Sequence, residues 1–170
     1  MKISMIEVES PLGPIQIAAT DTGVCLINFV DSWDRAQPVI ARRFDSIEYM
    51  EGSDPHNARR RMRAYFEGEF AALDELPLDP GGTGFQQQVW DRVRKIPAGQ
   101  TASYGAVAKD IGKPAAVRAV GAANGHNPLP LVVPCHRVIG ASGELRGYGG
   151  GIERKRWLLA HEGVSGELFK

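Results

Sequence analysis

From residue 2 to residue 30 the apolar positions recur at short, strand-like intervals. Residues 2–9 alternate loosely in polarity, and 15–19 and 24–30 are short β-rich runs. Turn formers separate them, Ser10-Pro11-Leu12-Gly13-Pro14 and then Asp21-Thr22-Gly23. This pattern predicts a small antiparallel meander. The period then changes: across residues 58–70, Met62, Tyr65 and Phe66 share one helical stripe, with Arg59, Arg60 and Arg61 on the solvated side. Residues 73–84 carry Pro77, Pro80 and Gly81-Gly82 and read as a linker, which places domains at 1–80 and 81–170.

The second half reads as mainly helical. Thr83 and Gln86 have capping-box spacing, Phe85, Val89, Val93 and Ile96 follow at helical intervals, and Pro97-Ala98-Gly99 ends that element. Ser103 is placed to cap a short helix that stops at Gly112, and Pro114 to open a second that runs to Asn124. Two short helices about a glycine-containing turn are the pattern of a helix-turn-helix. On the second, Ala115, Arg118, Ala119 and Ala122 fall on one face, and Val117, Val120 and Gly121 on an inward one. Methyl groups bearing a single guanidinium suit close approach to DNA with little sequence preference, since base readout needs several long polar side chains. An alanine-rich core helix with Arg118 reaching outward fits that face equally well. The fold class is therefore α+β: a small antiparallel-sheet domain with a helix, then a mainly helical domain.

Composition narrows the function. The 170 residues contain no apolar run long enough to span a membrane, and Glu7 comes too early for a secretory leader, so a cytoplasmic protein is expected. Two cysteines, Cys25 and Cys135, cannot form a disulfide framework or a four-thiolate zinc site. The formal net charge is +0, but it is unevenly spread. Residues 1–80 hold 8 Lys+Arg against 14 Asp+Glu, a net −6; residues 81–170 hold 12 against 6, a net +6. A basic second half suits a polyanionic partner, as it also suits a merely dipolar protein.

Cys25 lies within an apolar run and reads as a buried, inert thiol. Cys135 differs: it follows the buried run Leu129-Pro130-Leu131-Val132-Val133 and Pro134, beside His136 and Arg137, where a thiolate could be stabilised. A structural cysteine beside a core histidine fits the same dipeptide. Residues 140–151 contain six glycines but lack the ending of a phosphate loop, and residues 152–162 predict a basic helix. In that helix Trp157, Leu158 and His161 are expected inside, and Arg154, Lys155 and Arg156 outside.

The segment Pro134-Cys135-His136-Arg137-Val138 resembles the signature of the O6-alkylguanine-DNA alkyltransferases, the methylated-DNA–protein-cysteine methyltransferases. The likeness extends to Phe85-Gln86, Val89-Trp90, Ser103-Tyr104, Arg118-Ala119-Val120-Gly121, Asn127-Pro128, Tyr148-Gly149-Gly150 and Leu158-Leu159-Ala160-His161-Glu162. It covers residues 83–163; the first half matches more loosely, mainly through Ser10-Pro11-Leu12-Gly13.

The resemblance implies irreversible, once-only transfer of a methyl or larger alkyl group from O6-alkylguanine in double-stranded DNA onto Cys135. O4-alkylthymine is a second candidate substrate. It implies His136 as the base, acting through a water, Glu162 as its orienter, Asn127 as a brace of the cysteine turn, and Tyr104 as proton donor to the departing guanine. Arg118 would fill the duplex where the target base has rotated out. Ala115, Ala119, Gly121, Ala122, Ser103 and Gln86 would face the minor groove. Pro130, Val138, Leu145, Tyr148 and Gly149 would line the base pocket. It further implies a monomer without cofactor. Some relatives bind zinc through a cysteine at the position of Thr20, so no metal is expected here. Gly149 stands where some relatives carry a hydroxyl residue.

Three rivals remain at this stage. A non-enzymatic lesion binder of this family lacks the acceptor cysteine, which is present here. A transcription regulator needs specific base readout, against which the smooth helix speaks. A Cys-His-Glu hydrolase would turn over.

Overall fold

The computed structural model describes residues 1–166 and divides into two compact units, Met1–Gly81 and Gly82–Lys170. The first is built on a sheet of order β3-β2-β1-β4. Strands β1 (Lys2–Val8), β2 (Ile15–Ala19) and β3 (Val24–Phe29) form the expected antiparallel meander, with Ile6 opposite Ile17 and Ile17 opposite Ile27. Strand β4 (Glu48–Glu51) adds to the free edge of β1 in parallel. Its four residues are all exposed and show no apolar alternation, so nothing in the local pattern announces a strand. Between β3 and β4 lie two one-turn helices, α1 (Trp33–Ala36) and α2 (Pro38–Ala41). They seat Trp33 and Ile40 against Ile3, Met5, Ala18, Cys25 and Leu26. Helix α3 (Ala58–Phe66) packs on β1 and buries Met62 and Tyr65, the Tyr65 ring meeting Phe66 and Phe70 edge-on at 5.1 and 5.7 Å.

The expected linker is not slack. Val24 donates to the Pro77 carbonyl at 2.9 Å and Asp79 donates back to the Val24 carbonyl at 2.8 Å, which lays residues 77–79 along β3. Gly23 permits this approach, because a Cβ there would meet the Pro77 and Leu78 backbone at 2.8 Å. Asp79 also receives Thr20 at 3.0 Å and Arg43 at 2.6 Å, so a buried hydroxyl and an ion pair fasten the segment. Cys25 is fully buried with its thiol against the Ala18 carbonyl, and burial pushes it up to about 11. It is inert, as expected.

In the second unit, α4 (Gly84–Arg94) starts at Thr83 with both capping-box bonds formed, 3.2 Å to the Gln86 N–H and 2.9 Å from the Thr83 N–H. Its buried face, Val89, Trp90 and Val93, packs against α6 (Val117–Gly125), where the Trp90 indole donates to the Ala123 carbonyl at 2.8 Å. Helix α5 (Tyr104–Asp110) is capped by Ser103 and packs on both. A two-residue parallel pairing joins β5 (Ala102–Ser103) to β6 (Val138–Ile139) and fixes the start of α5 beside the chain that leaves Cys135. Helix α7 (Ile152–His161) closes the unit.

Two expectations about α6 change. The helix begins at Val117, not Pro114: Ala116 donates to the Lys113 carbonyl in a turn, and Ala115 sits in that turn ahead of the helix. Val117, expected inside, is 40% exposed, since it is the first residue of the helix, at its open end.

Replacing Thr83 by alanine removes the hydroxyl half of the capping box. It is expected to cost about 1 kcal/mol of stability in chemical denaturation followed on Trp90, with little change in the denaturant slope.

Candidate active site and nucleic-acid interface

Cys135 is positioned by the chain that precedes it. Asn127 accepts the Leu129 N–H at 2.9 Å and donates to the Val133 carbonyl at 2.8 Å, which closes the loop onto itself. The same Val133 carbonyl accepts the Cys135 N–H at 2.7 Å, an inverse γ-turn about Pro134 at φ −79°, ψ 67°. Leu131, with φ +76°, is one of two non-glycine residues held in the left-handed region among the described residues, so this loop carries backbone strain. A single 3₁₀ turn over Cys135–Arg137 then leads into β6.

Beneath the cysteine lies a fully buried charge cluster. His136 Nε2 is 2.8 Å from Glu162 Oε1, and Arg137 donates to both Glu162 oxygens at 2.8 Å. The remaining Arg137 amino group donates to the Ile96 carbonyl at 2.6 Å. Burial alone would raise the Glu162 carboxyl, but the hydrogen bonds from Arg137 and His136 outweigh it and hold it down to about 2. Burial lowers His136 more strongly than Glu162 raises it, so the imidazole is neutral at neutral pH. With Glu162 ionised, the single ring proton belongs on Nε2, which leaves Nδ1 as an acceptor. Nδ1 is buried with no hydrogen-bond partner among the described residues, and so can receive a proton.

Cys135 is buried, 7% exposed. Burial pushes it up; the Asn127 side chain and the Lys155 charge pull the other way without overcoming it. The resting group is thus a thiol, although its sequence neighbours marked a place where a thiolate could be stabilised. Tyr104 is also raised, first by burial and then by Cys135, so its hydroxyl stays protonated and able to donate. In this structure it donates to the Arg146 carbonyl at 3.3 Å.

An open groove of about 580 Å³ lies beside these groups, lined by Tyr104 from α5, Val117, Arg118 and Gly121 from α6, and Arg146–Gly149 from the glycine-rich loop. Arg118, Ala119 and Ala122 are exposed along α6.

Residues 84–164 match the DNA binding domain of 6-O-methylguanine DNA methyltransferase, and residues 4–80 match its ribonuclease-like domain. A Mycobacterium bovis methylated-DNA–protein-cysteine methyltransferase is 46% identical over 158 residues, covering 91% of this chain and 89% of its own. The chain belongs to the 6-O-methylguanine DNA methyltransferase family. That family is a family of transferases. The crystal structure of Mycobacterium tuberculosis O6-methylguanine methyltransferase superposes with a TM-score of 0.78 at 42% identity, covering 94% of this chain and 92% of that one. Mycobacterium tuberculosis OGT in complex with DNA superposes with a TM-score of 0.77 at 40% identity, covering 99% and 98%.

Within this methyltransferase fold, Cys135, His136 and Glu162 come together with Asn127, while Tyr104, Arg118, Gly121, Tyr148 and Gly149 share the groove. Ser103 and Gln86 serve as capping groups of α5 and α4. Val138 is buried in β6, Pro130 is half-buried in the cysteine loop, and Leu145 packs on Ile139, Leu159 and Val164. Two residues were missed. Arg137 read as a neighbour of the cysteine, yet it is the second partner of Glu162. Lys155 was expected outside and is completely buried. No helix among the described residues is long and apolar enough to cross a membrane.

The Glu162 value lies below its ordinary 4.5, so the stability this carboxylate contributes is present above about pH 4.5 and is lost as the pH falls toward 2. The lowered His136 acts in the same direction from 6.5 downward. Denaturation midpoints measured against pH should therefore decline through this acid range, and Glu162→Gln should flatten the lower part of the decline.

Proposed function

We propose that this protein repairs DNA by taking an alkyl group from O6-alkylguanine onto Cys135, once per molecule. The observation that carries the proposal is the buried Cys135 thiol next to a neutral His136, whose Nδ1 is free to accept a proton and whose Nε2 is held by Glu162. The thiol proton passes to His136 Nδ1, through one water, as sulfur attacks the alkyl carbon. The S–C bond forms, the C–O6 bond breaks, and the electron pair goes to guanine. Tyr104 donates its proton to the departing base and regains one from His136 through solvent, so both side chains end in their starting protonation states. The product is a thioether that no cellular thiol reverses, so turnover stops at one.

The groove beside Tyr104 suits an extrahelical base, with Tyr148 and Gly149 among its walls. Helices α5 and α6 form a helix-turn-helix whose exposed strip of Arg118, Ala119 and Ala122 enters the minor groove, with Ala115 at its head. Arg118 takes the place of the rotated base. The smoothness of the strip supports binding without sequence preference. Support for DNA as partner comes from the Mycobacterium tuberculosis OGT bound to it. The same pocket chemistry extends to O4-alkylthymine.

Incubation with a duplex containing O6-methylguanine should add one methyl mass per protein molecule, located on Cys135 by digestion, and Cys135→Ala should abolish it. Repeated turnover would indicate a hydrolase, and binding without a mass change a lesion-recognition protein. Arg118→Ala should slow repair within duplex DNA far more than reaction with free O6-benzylguanine; equal losses would remove its role in base rotation.

A further inference from the structure

One buried cation next to the acceptor has no task in this chemistry. Lys155, on α7, is 0% exposed. An ammonium is costly to bury unless its protons are bonded. Two of the three are: Nζ donates to the Val138 carbonyl at 2.7 Å and to the Arg146 carbonyl at 2.8 Å. Val138 opens β6 directly after the acceptor turn, and Arg146 belongs to the glycine-rich loop that lines the groove. One side chain therefore ties the acceptor turn to the loop. The Arg146 carbonyl also accepts Tyr104, so when that hydroxyl turns to a substrate, Lys155 still satisfies the carbonyl.

Its charge bears on the thiol as well. Lys155 pulls the Cys135 thiol down, and Cys135 in turn favours the ammonium, while burial lowers the lysine to about 8. The other titratable and charged groups around the pair are Tyr104 from α5, His136 and Arg137 from the acceptor turn, Tyr148 and Arg146 from the loop, and Arg154 and Glu162 from α7 and its end. Arg137 is engaged by Glu162 and Ile96, Arg154 donates to the Gly150 carbonyl, and His136 is neutral. That leaves Lys155 as the cation acting most directly on the sulfur.

We propose that Lys155 is a positioning residue for alkyl transfer: it pins β6 and the glycine-rich loop through their carbonyls, and its ammonium is the counter-charge for Cys135 as the thiolate forms. This rests on Cys135 being the acceptor. The test is the rate of methyl transfer from an O6-methylguanine duplex, measured with the full chain from neutral to alkaline pH. Lys155→Met, similar in length but without charge or donors, should react about tenfold more slowly at neutral pH. Its rate–pH midpoint should lie about one unit higher, so that alkaline conditions restore much of the rate. Lys155→Arg, which keeps the charge, should hold its midpoint at or below that of the unchanged protein. A raised midpoint in the arginine variant overturns the proposal whether or not the methionine variant folds. So does a methionine variant with the original profile. A purely structural lysine would lower the melting temperature and leave the midpoint of the folded protein in place. The final mass reports separately on the acceptor: both variants should still end with one methyl on Cys135, whereas no methylation of the unchanged protein would sink the alkyl-acceptor reading itself.

Discussion

The second unit depends on one buried carboxylate. Glu162 stands just after α7 and receives His136 and Arg137 from the turn at Cys135, while Arg137 reaches on to the carbonyl of Ile96 beyond the end of α4. Three separate pieces of chain are joined by hydrogen bonds to charged groups, out of water. Such a cluster is balanced only while complete. Removing one member leaves a buried charge without its partner, typically a loss of about 3–5 kcal/mol. The chemistry inherits the same constraint, because the carboxylate that stabilises the fold also fixes which nitrogen of His136 bears the proton.

Burial sets two demands against each other at the cysteine. Burial shields the sulfur from water, and the same desolvation opposes the charge that makes sulfur nucleophilic. The structure answers with a neutral base whose acceptor nitrogen is free and with groups that favour the anion without producing it at rest. At rest the sulfur is uncharged. The strained loop from Asn127 to Pro134 serves this arrangement by holding the thiol at a tight turn.

The groove is assembled in the same economical way. Ser103 caps α5, and its strand pairing with Ile139 sets Tyr104 beside the exit of the acceptor turn. The capping box at Thr83 starts α4, whose Trp90 is bonded to the backbone of α6, the helix that bears Arg118. Ser103 and Gln86, expected at the DNA face, also supply capping bonds at the starts of α5 and α4.

Much of this was legible in the chain itself. Strand periodicity marked β1 to β3, and the Thr83/Gln86 spacing marked the start of α4, because each signal is local and set by backbone geometry or by side chains close in sequence; the residues about Cys135 likewise singled out the candidate acceptor. Strand β4 was not legible, since its pairing with β1 is a contact between distant segments made by four exposed residues. Nor was the start of α6, where a proline favoured a helix that a tight turn delays. Arg137 and Lys155 look like surface cations in a basic stretch. Only the folded chain brings a carboxylate to one and two backbone carbonyls to the other, and without those partners neither charge could leave water.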